Sequence, residues 1–317
     1  MAKTQTETTS NVDASSGSDG DDTLSSFLKR ITSVVARPYA VIRGNRTGEI
    51  GVVLLSVVVL IGLFGPIVAP YGPLERDLLD SGLVASMEGP STAHPLGTTR
   101  FGRDVLSQVL WGARSALFIG LSTAAIVVTV GTTVGVVSGY FGGRVDDALM
   151  RMTDIVYGVP ILPFAIVALS ILERSIVWII LVIGLIYWRN SARIIRSDVL
   201  SLRDEEFIQK ARTTGASDAR IIRKQVVPNI LPISFLYFAF AVGFSIIMAA
   251  SISFLGFGDP NRVSWGRMIF SAWNNNGVFR QPFWVIGPGL MIVLTVSSVY
   301  MIGQTYEEVA NPRLRDR

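Results

Sequence analysis

The chain has 317 residues, half of them hydrophobic and only 16% charged, with a mean hydropathy of +0.47. An ordinary soluble domain carries roughly 25% charged residues, so the composition points to a membrane protein. There is no cysteine and one histidine, which excludes disulfides, thiolate chemistry and multi-histidine metal sites, and the net charge of +4 is read as membrane orientation rather than nucleic-acid binding.

Residues 1–26 are rich in Ser, Thr, Asp and Gly and poor in large apolar side chains, so a disordered polar tail is expected. It carries neither the charged start nor the short apolar core of a signal peptide, so no cleavage is expected. A basic segment, 27–49, leads into six hydrophobic runs at 50–69, 114–138, 154–172, 175–188, 233–257 and 283–303. A helix crossing about 30 Å of hydrocarbon needs about 20 residues, which five of the six provide. The fourth is short, and is expected to recruit residues on its Glu173 or Ile194 side or to pack against neighbours rather than lipid. The predicted fold is all-α and polytopic, with a permease domain over 114–310 and a short tail at 311–317.

Twenty Lys and Arg residues fall on the side of the N-terminus and seven on the other, with Arg114 at a boundary, which predicts that both termini are cytoplasmic. On that assignment 70–113 is the long outer loop and 189–230 the long inner one. The inner loop is helix-coded. Asp204, Glu205 and Glu206 suit a helix start, Phe207, Ile208 and Ala211 form an apolar face, and Gly215 is placed to end the helix in the left-handed region. Ser217 is expected to cap a second helix that Pro228 and Pro232 stop before the fifth run. The loop is either a hairpin packing on its own protein or a peg for another, and the small residues Ala211 and Gly215 permit close approach.

"FIQKARTTGAS" followed by "QVVPNILP" resembles the EAA loop of ABC importer permease subunits. Gly215, Pro228, Asn229 and Pro232 match that pattern, whereas Gln209 and Lys210 stand where it has Glu and Ala, and only Ala211 matches the second Ala. "HPLGTTRFGRDVLSQVLWGARSALFIG", "GYFGGRVDDALMRMTDIVYGVP" and "ISFLGFGDPNRVSWGRMI" resemble the dipeptide, oligopeptide and nickel branch, and the likeness covers most of 94–315. The end "GQTYEEVANPRLRDR" is similar, with Asn311 where that branch has Asp.

The resemblance implies a permease subunit working with a homologous second permease subunit, two ATP-binding-cassette ATPase subunits and an extracytoplasmic solute-binding protein, in membrane lipid. It implies ATPase coupling at Phe207, Ile208, Gln209, Lys210, Ala211, Gly215, Pro228 and Asn229. The cargo class it implies is di- or oligopeptide, with nickel or oligosaccharide as variants. The chain has no phosphate-binding loop and no nucleophile elbow, so ATP hydrolysis is assigned to a partner, no cofactor or metal is expected, and nucleic acid is not a partner.

Four outer-loop residues, Arg103, Asp104, Trp265 and Arg267, are candidates for docking or gating, with an Arg103–Asp104 ion pair as the local alternative. His94 reads as a satisfied loop histidine. Pro160 and Pro163, the run Gly287, Pro288 and Gly289, and Ser245, Ser251 and Ser253 are candidates for pathway or hinge; packing kinks and serines bonded to their own helix are the alternatives. The near absence of ionisable residues within the runs counts against the rival reading, a secondary transporter or channel not coupled to ATP. An intramembrane hydrolase would need a base near a nucleophile, and the lone histidine lies in a loop.

Overall fold

The computed structural model describes residues 44–78 and 84–310, with side chains of the last helix described to Glu307. The polar tail, most of the basic segment and 311–317 lie outside the described residues. Eleven helices are described: α1 (Arg46–Val68), α2 (Val105–Phe141), α3 (Gly143–Tyr157), α4 (Ile161–Ile171), α5 (Ile176–Arg203), α6 (Glu206–Thr213), α7 (Asp218–Ile221), α8 (Val227–Ile252), α9 (Trp265–Asn274), α10 (Gly277–Arg280) and α11 (Phe283–Ala310). Among the described residues the only β-type pairings are two isolated bridges, in the segment before α2.

Five helical stretches are long and apolar enough to cross a membrane, and a sixth crossing results if α3 and α4, bent by 80° at their junction, count as one. All six runs expected from hydropathy are helical, but their ends move. α2 has 37 residues, about 55 Å at 1.5 Å each, so it projects well beyond a hydrocarbon core of about 30 Å. The short fourth run extends on its Ile194 side to give the 28 residues of α5, the most buried of the crossings.

What allows charged residues to continue α5 is its contact with α2. Gly131, Gly135 and Gly139 recur every fourth residue and form one stripe on α2. A Cβ on Gly131 would lie 2.6 Å from Ser191 Cβ, one on Gly135 2.7 Å from the Ala192 carbonyl oxygen, and one on Gly139 2.8 Å from Val199 Cβ. Only glycine permits this backbone approach, and in lipid such van der Waals packing replaces the hydrophobic effect as the force between helices. The arginines of α5 then face α3. Arg189 donates to the carbonyls of Val156 and Val159 at the helix break, Arg193 pairs with Asp154, and Arg196 grips Asp146 with two nitrogens at 2.5 and 2.6 Å. Ser138 on α2 also donates to Asp146.

The expected stop at Pro228 and Pro232 does not occur. The chain is helical from Asp218 to Phe257, 40 residues, except at Gly256 near its end, and carries a π-helical turn at Ile222–Val226. Pro228 lacks an N–H and its ring crowds the carbonyl four residues back, and widening the preceding turn removes that clash without ending the helix. Pro232 is likewise inside α8. The insert that is not part of a crossing therefore shrinks from 189–230 to 204–217, which includes α6. Pro163 also differs from expectation: the interruption lies at Gly158–Pro160, with Pro160 as the N-cap of α4, while Pro163 sits in the first turn of α4, where a missing N–H is harmless. α11 runs through Pro288 without a break.

At the end away from α6, the π-helical turn Ser253–Phe257 closes α8 through Gly256, whose φ of +92° turns the chain outward. Asp259 then accepts from the backbone N–H of Ile176 at 3.3 Å, tying this loop to the start of α5.

Gly135→Leu is expected to destabilise the protein by about 1–3 kcal/mol or more through forced separation of α2 and α5. Gly289→Ala, which meets nothing within 4 Å, should stay within about 0.5 kcal/mol of the parent. Thermal unfolding of the two detergent-solubilised variants checks the contrast.

Candidate functional site

The segment between α5 and α7 is a short helix mounted on the bundle. α6 spans eight residues, with Glu205 at the N-cap position, although no side chain caps it. Ile208 is fully buried and joins Val136 and Tyr140 of α2, Ile195 and Val199 of α5, and Ile221, Val226 and Ile230 beyond the turn; Ala211 packs against the same cluster. Phe207 faces away, 42% exposed, beside an exposed Lys210 that pairs with Glu206 at 2.7 Å.

Gly215 ends α6 as expected, with φ +81°. Ala216 N–H donates to the Ala211 carbonyl and Gly215 N–H to that of Arg212, at 3.1 and 3.0 Å, which is the Schellman arrangement. A Cβ on Gly215 would meet nothing within 4 Å, so the position requires glycine for its backbone angle and not for space. Ser217 stands at the N-cap position of α7 but makes no side-chain cap. Tyr140, at the end of α2, donates to Asp218 at 2.7 Å and lies under the guanidinium of Arg212 at 4.9 Å, so both sides of the turn hold the same ring.

Residues grouped by sequence as one coupling face thus divide in two. Phe207, Lys210 and Gly215 are exposed. Ile208 and Ala211 turn inward, and Gln209 donates from its side-chain amide to the Arg203 carbonyl at 3.1 Å, tying α6 to the end of α5. Pro228 and Asn229 lie on the far side of the π-helical turn, exposed, with the Asn229 amide on the Gln225 carbonyl at 2.7 Å.

At the opposite end, the Arg103–Asp104 ion pair, the local alternative to a docking or gating role, is absent among the described residues. Asp104 is buried; it caps α2 by accepting from Ser107 N–H at 2.6 Å and contacts His94 Nδ1 at 3.1 Å. The other ring nitrogen of His94 lies 2.8 Å from Asp77, and Tyr71 stacks on the ring at 4.9 Å. This is the satisfied loop histidine expected, now with its partners. The sequence carried no signal that two carboxylates separated from His94 by 10 and 17 positions converge on it.

Arg103 instead lines a small cleft with Arg262, Arg267, Phe101 and Ser264. Burial lowers its pKa, and the charges of Arg76 and Arg267 push in the same direction. Its Nε has no hydrogen-bond partner among the described residues. Arg267 donates to the Asp259 carbonyl at 2.6 Å, and burial lowers its pKa against the opposing charge of Asp259. Trp265 is an internal anchor: 2% exposed, it fills the space over Gly112, and its indole N–H donates to the Val109 carbonyl at 3.0 Å. It is not placed to touch a docked protein. Gln281, equally buried and absent from the candidates, donates to the carbonyls of Glu88 and Leu96 and ties the outer segment to the start of α11.

Of the pathway candidates, Ser251 donates to the Ile247 carbonyl of its own helix at 2.9 Å, and Ser245 is fully buried. Neither lines the cavity of about 510 Å³ between α3, α5, α8 and α11, which sequence reasoning did not find.

This architecture, a multi-pass helical bundle with a short mounted helix at one end and a pinned loop cap at the other, is that of a membrane permease. Residues 131–316 match the family described as binding-protein-dependent transport system inner membrane component, and the chain belongs to that family, a multi-pass protein of the cytoplasmic membrane. Similar proteins include the oligopeptide transport system permease protein OppC of Bacillus subtilis (strain 168), 30% identical and covering 86% of this chain and 88% of the relative. The dipeptide transport system permease protein DppC of Alkalihalophilus pseudofirmus is 30% identical with the same coverage, and the glutathione transport system permease protein GsiD of Pectobacterium atrosepticum is 32% identical over 72% of this chain and 75% of the relative. The fold is similar to a chain of the inward-facing MetNI methionine ABC transporter, with a TM-score of 0.51 at 14% identity, covering 64% of this chain and 97% of that one. The chain is therefore a permease subunit of an ABC importer, as its EAA-like segment implies.

His94 supplies a pH prediction. Burial disfavours the charged ring, but hydrogen bonds and charge from Asp77 and Asp104 outweigh it and raise the pKa above the ordinary 6.5. The clamp's contribution to stability is then fully present below that value and is lost as pH rises through the raised one. His94→Gln should flatten this part of the pH profile, measured as unfolding temperature or protease resistance of the outer segment.

Proposed function

We propose that this chain imports di- or oligopeptides as one of two homologous permease subunits, with both termini cytoplasmic, two ATPase subunits on the α6 side and a solute-binding protein on the other. ATP is hydrolysed in the partner subunits, and the conformational change enters through α6. The names of the relatives support the peptide class. The observation that carries the coupling role is the two-sided character of α6: Phe207, Lys210 and the turn at Gly215 are presented outward, while Ile208 and Ala211 lock the same helix to α2, α5 and α8. A push on the exposed face is thereby delivered to three membrane helices at once. Pro228 and Asn229 brace this mount, and Gln209 fixes its entry.

The paired tilt of exposed and buried faces depends on Gly215. A side chain at positive φ costs about 1–2 kcal/mol, and more for a β-branched residue. Gly215→Val should therefore leave a membrane-inserted subunit that recovers about tenfold less ATPase on affinity purification from native membranes, and Phe207→Ala should weaken recovery without altering the fold. Wild-type recovery and peptide uptake in both variants would refute coupling through α6.

On the other face, the basic cleft around Arg103 suits acidic side chains of a docked binding protein, whereas Arg267 and Trp265 hold the loop that shapes it. Arg103→Glu should reduce transport stimulated by the binding protein several-fold while unstimulated ATP hydrolysis stays at the parental rate. Equal stimulation in parent and variant would remove Arg103 from the docking surface.

A further inference from the structure

α1 packs on α2 and α11 but stands off α8, and a second cavity, of about 630 Å³, occupies the gap. It follows α1 from Leu55 to Ile67, about 18 Å of helix at 1.5 Å per residue, slightly more than one leaflet of a hydrocarbon core of about 30 Å. Its walls are almost wholly apolar, and Leu63 and Ile67, 63% and 79% exposed, mark its open side. Arg114 of α2 is the one charged residue in the lining, and it makes no hydrogen bond or ion pair among the described residues. Its depth follows from the packing of α1 on α2. A Cβ on Gly62 would lie 2.5 Å from Leu117, and one on Gly65 3.1 Å from the Leu110 carbonyl oxygen. Arg114 is therefore level with Gly62–Gly65, three to six residues or about 5–9 Å below the end of α1 at Val68. Helix side chains lean towards the N-terminus, and α2 begins at the end away from α6, so the guanidinium reaches towards the near membrane surface.

We infer that this groove holds one anionic phospholipid of the leaflet at the end away from α6, with its phosphate on Arg114 and an acyl chain lying between α1 and α8. A cation at the edge of the hydrocarbon is costly without a counter-charge, and lipid phosphate is the anion native to that level. A guanidinium meets phosphate with two parallel N–H bonds, and its own stem continues the apolar wall. Below it the walls offer an acyl chain contact and offer water no partner. A helix from another subunit would have to bring a carboxylate to the same depth to serve Arg114, and membrane segments rarely carry one. Phosphatidylglycerol is preferred over phosphatidylethanolamine, whose own ammonium competes with Arg114 for the phosphate. The bound lipid completes the packing between α1 and the rest of the bundle, and the site is independent of what the chain transports.

The chain contains no cysteine, so Leu63→Cys gives it a unique thiol in the groove, and Phe64→Cys gives one at the same depth on an exposed face of α1 outside the lining. Each variant, in the intact complex reconstituted in nanodiscs of equal phosphatidylglycerol and phosphatidylethanolamine, carries a benzophenone on that thiol, and the species captured on illumination is identified by mass spectrometry of this chain. The label at Leu63→Cys should capture phosphatidylglycerol several-fold more than phosphatidylethanolamine, and the label at Phe64→Cys both alike. Adding Arg114→Gln should remove the preference at Leu63→Cys. Equal capture of the two lipids at Leu63→Cys, a preference that survives Arg114→Gln, capture of another protein subunit in place of lipid, or no capture at all would each overturn the site. The comparison of Leu63→Cys with Phe64→Cys needs no charge variant, so the inference stays open to refutation even if Arg114→Gln fails to assemble.

Discussion

The close backbone contact of α2 and α5 governs the rest of the molecule. Three glycines one turn apart remove the side chains that would hold the helices apart, and Ser191, Ala192, Ile195 and Val199 occupy the space. Because lipid is as apolar as leucine, no hydrophobic gain joins helices within a bilayer, and fit at short range has to do so. Once α5 lies on this stripe, its register sets where Arg189, Arg193 and Arg196 emerge, and those residues are what secure the broken α3–α4 crossing. The same register places Ile195 and Val199 beneath Ile208.

α2 links the two ends of the protein. Its first turn is capped by Asp104, which also contacts His94, and its last turns carry Ser138 and Tyr140, which hold α3 and the turn after α6. Between them run Gly112 under Trp265, Gly120 against Ile246 and the glycine stripe against α5. A displacement of α6 therefore has a continuous path of packed side chains and hydrogen bonds along one helix, the kind of contiguous network through which packed elements move together. Ion pairs secure both ends: Arg193–Asp154, Arg196–Asp146 and Lys210–Glu206 lie near α3 and α6, and His94 with Asp77 and Asp104 lies at the other, where hydrogen bonds of Asp259 and Gln281 add to the hold.

Several features were legible from residues alone. Hydropathy located the helical runs because a bilayer demands apolar length, and Gly215 was recognisable because helix termini favour glycine in the left-handed region. The glycine stripe on α2 was equally readable as a four-residue repeat, but its partner helix was not. Other expectations failed for identifiable reasons. Pro228 did not end a helix because a π-helical turn absorbed its clash, and Pro232 lies within α8. Arg189, Arg193 and Arg196 did not end α5 because carboxylates on α3 and carbonyls at the α3–α4 break pair with them.

By itself, the sequence determined that the chain is an α-helical membrane protein with a short amphipathic element closed by Gly215, because these properties depend on composition, periodicity and local backbone preference; the permease family was legible only through the resemblance of its motifs to known ones. Only the tertiary structure decided which face of that element is exposed, which carboxylates His94 meets, that Trp265 is internal, and that four tyrosines from four helices border one cavity. Each of those depends on residues far apart in the chain being brought together, and helix periodicity contains no term for which helices become neighbours.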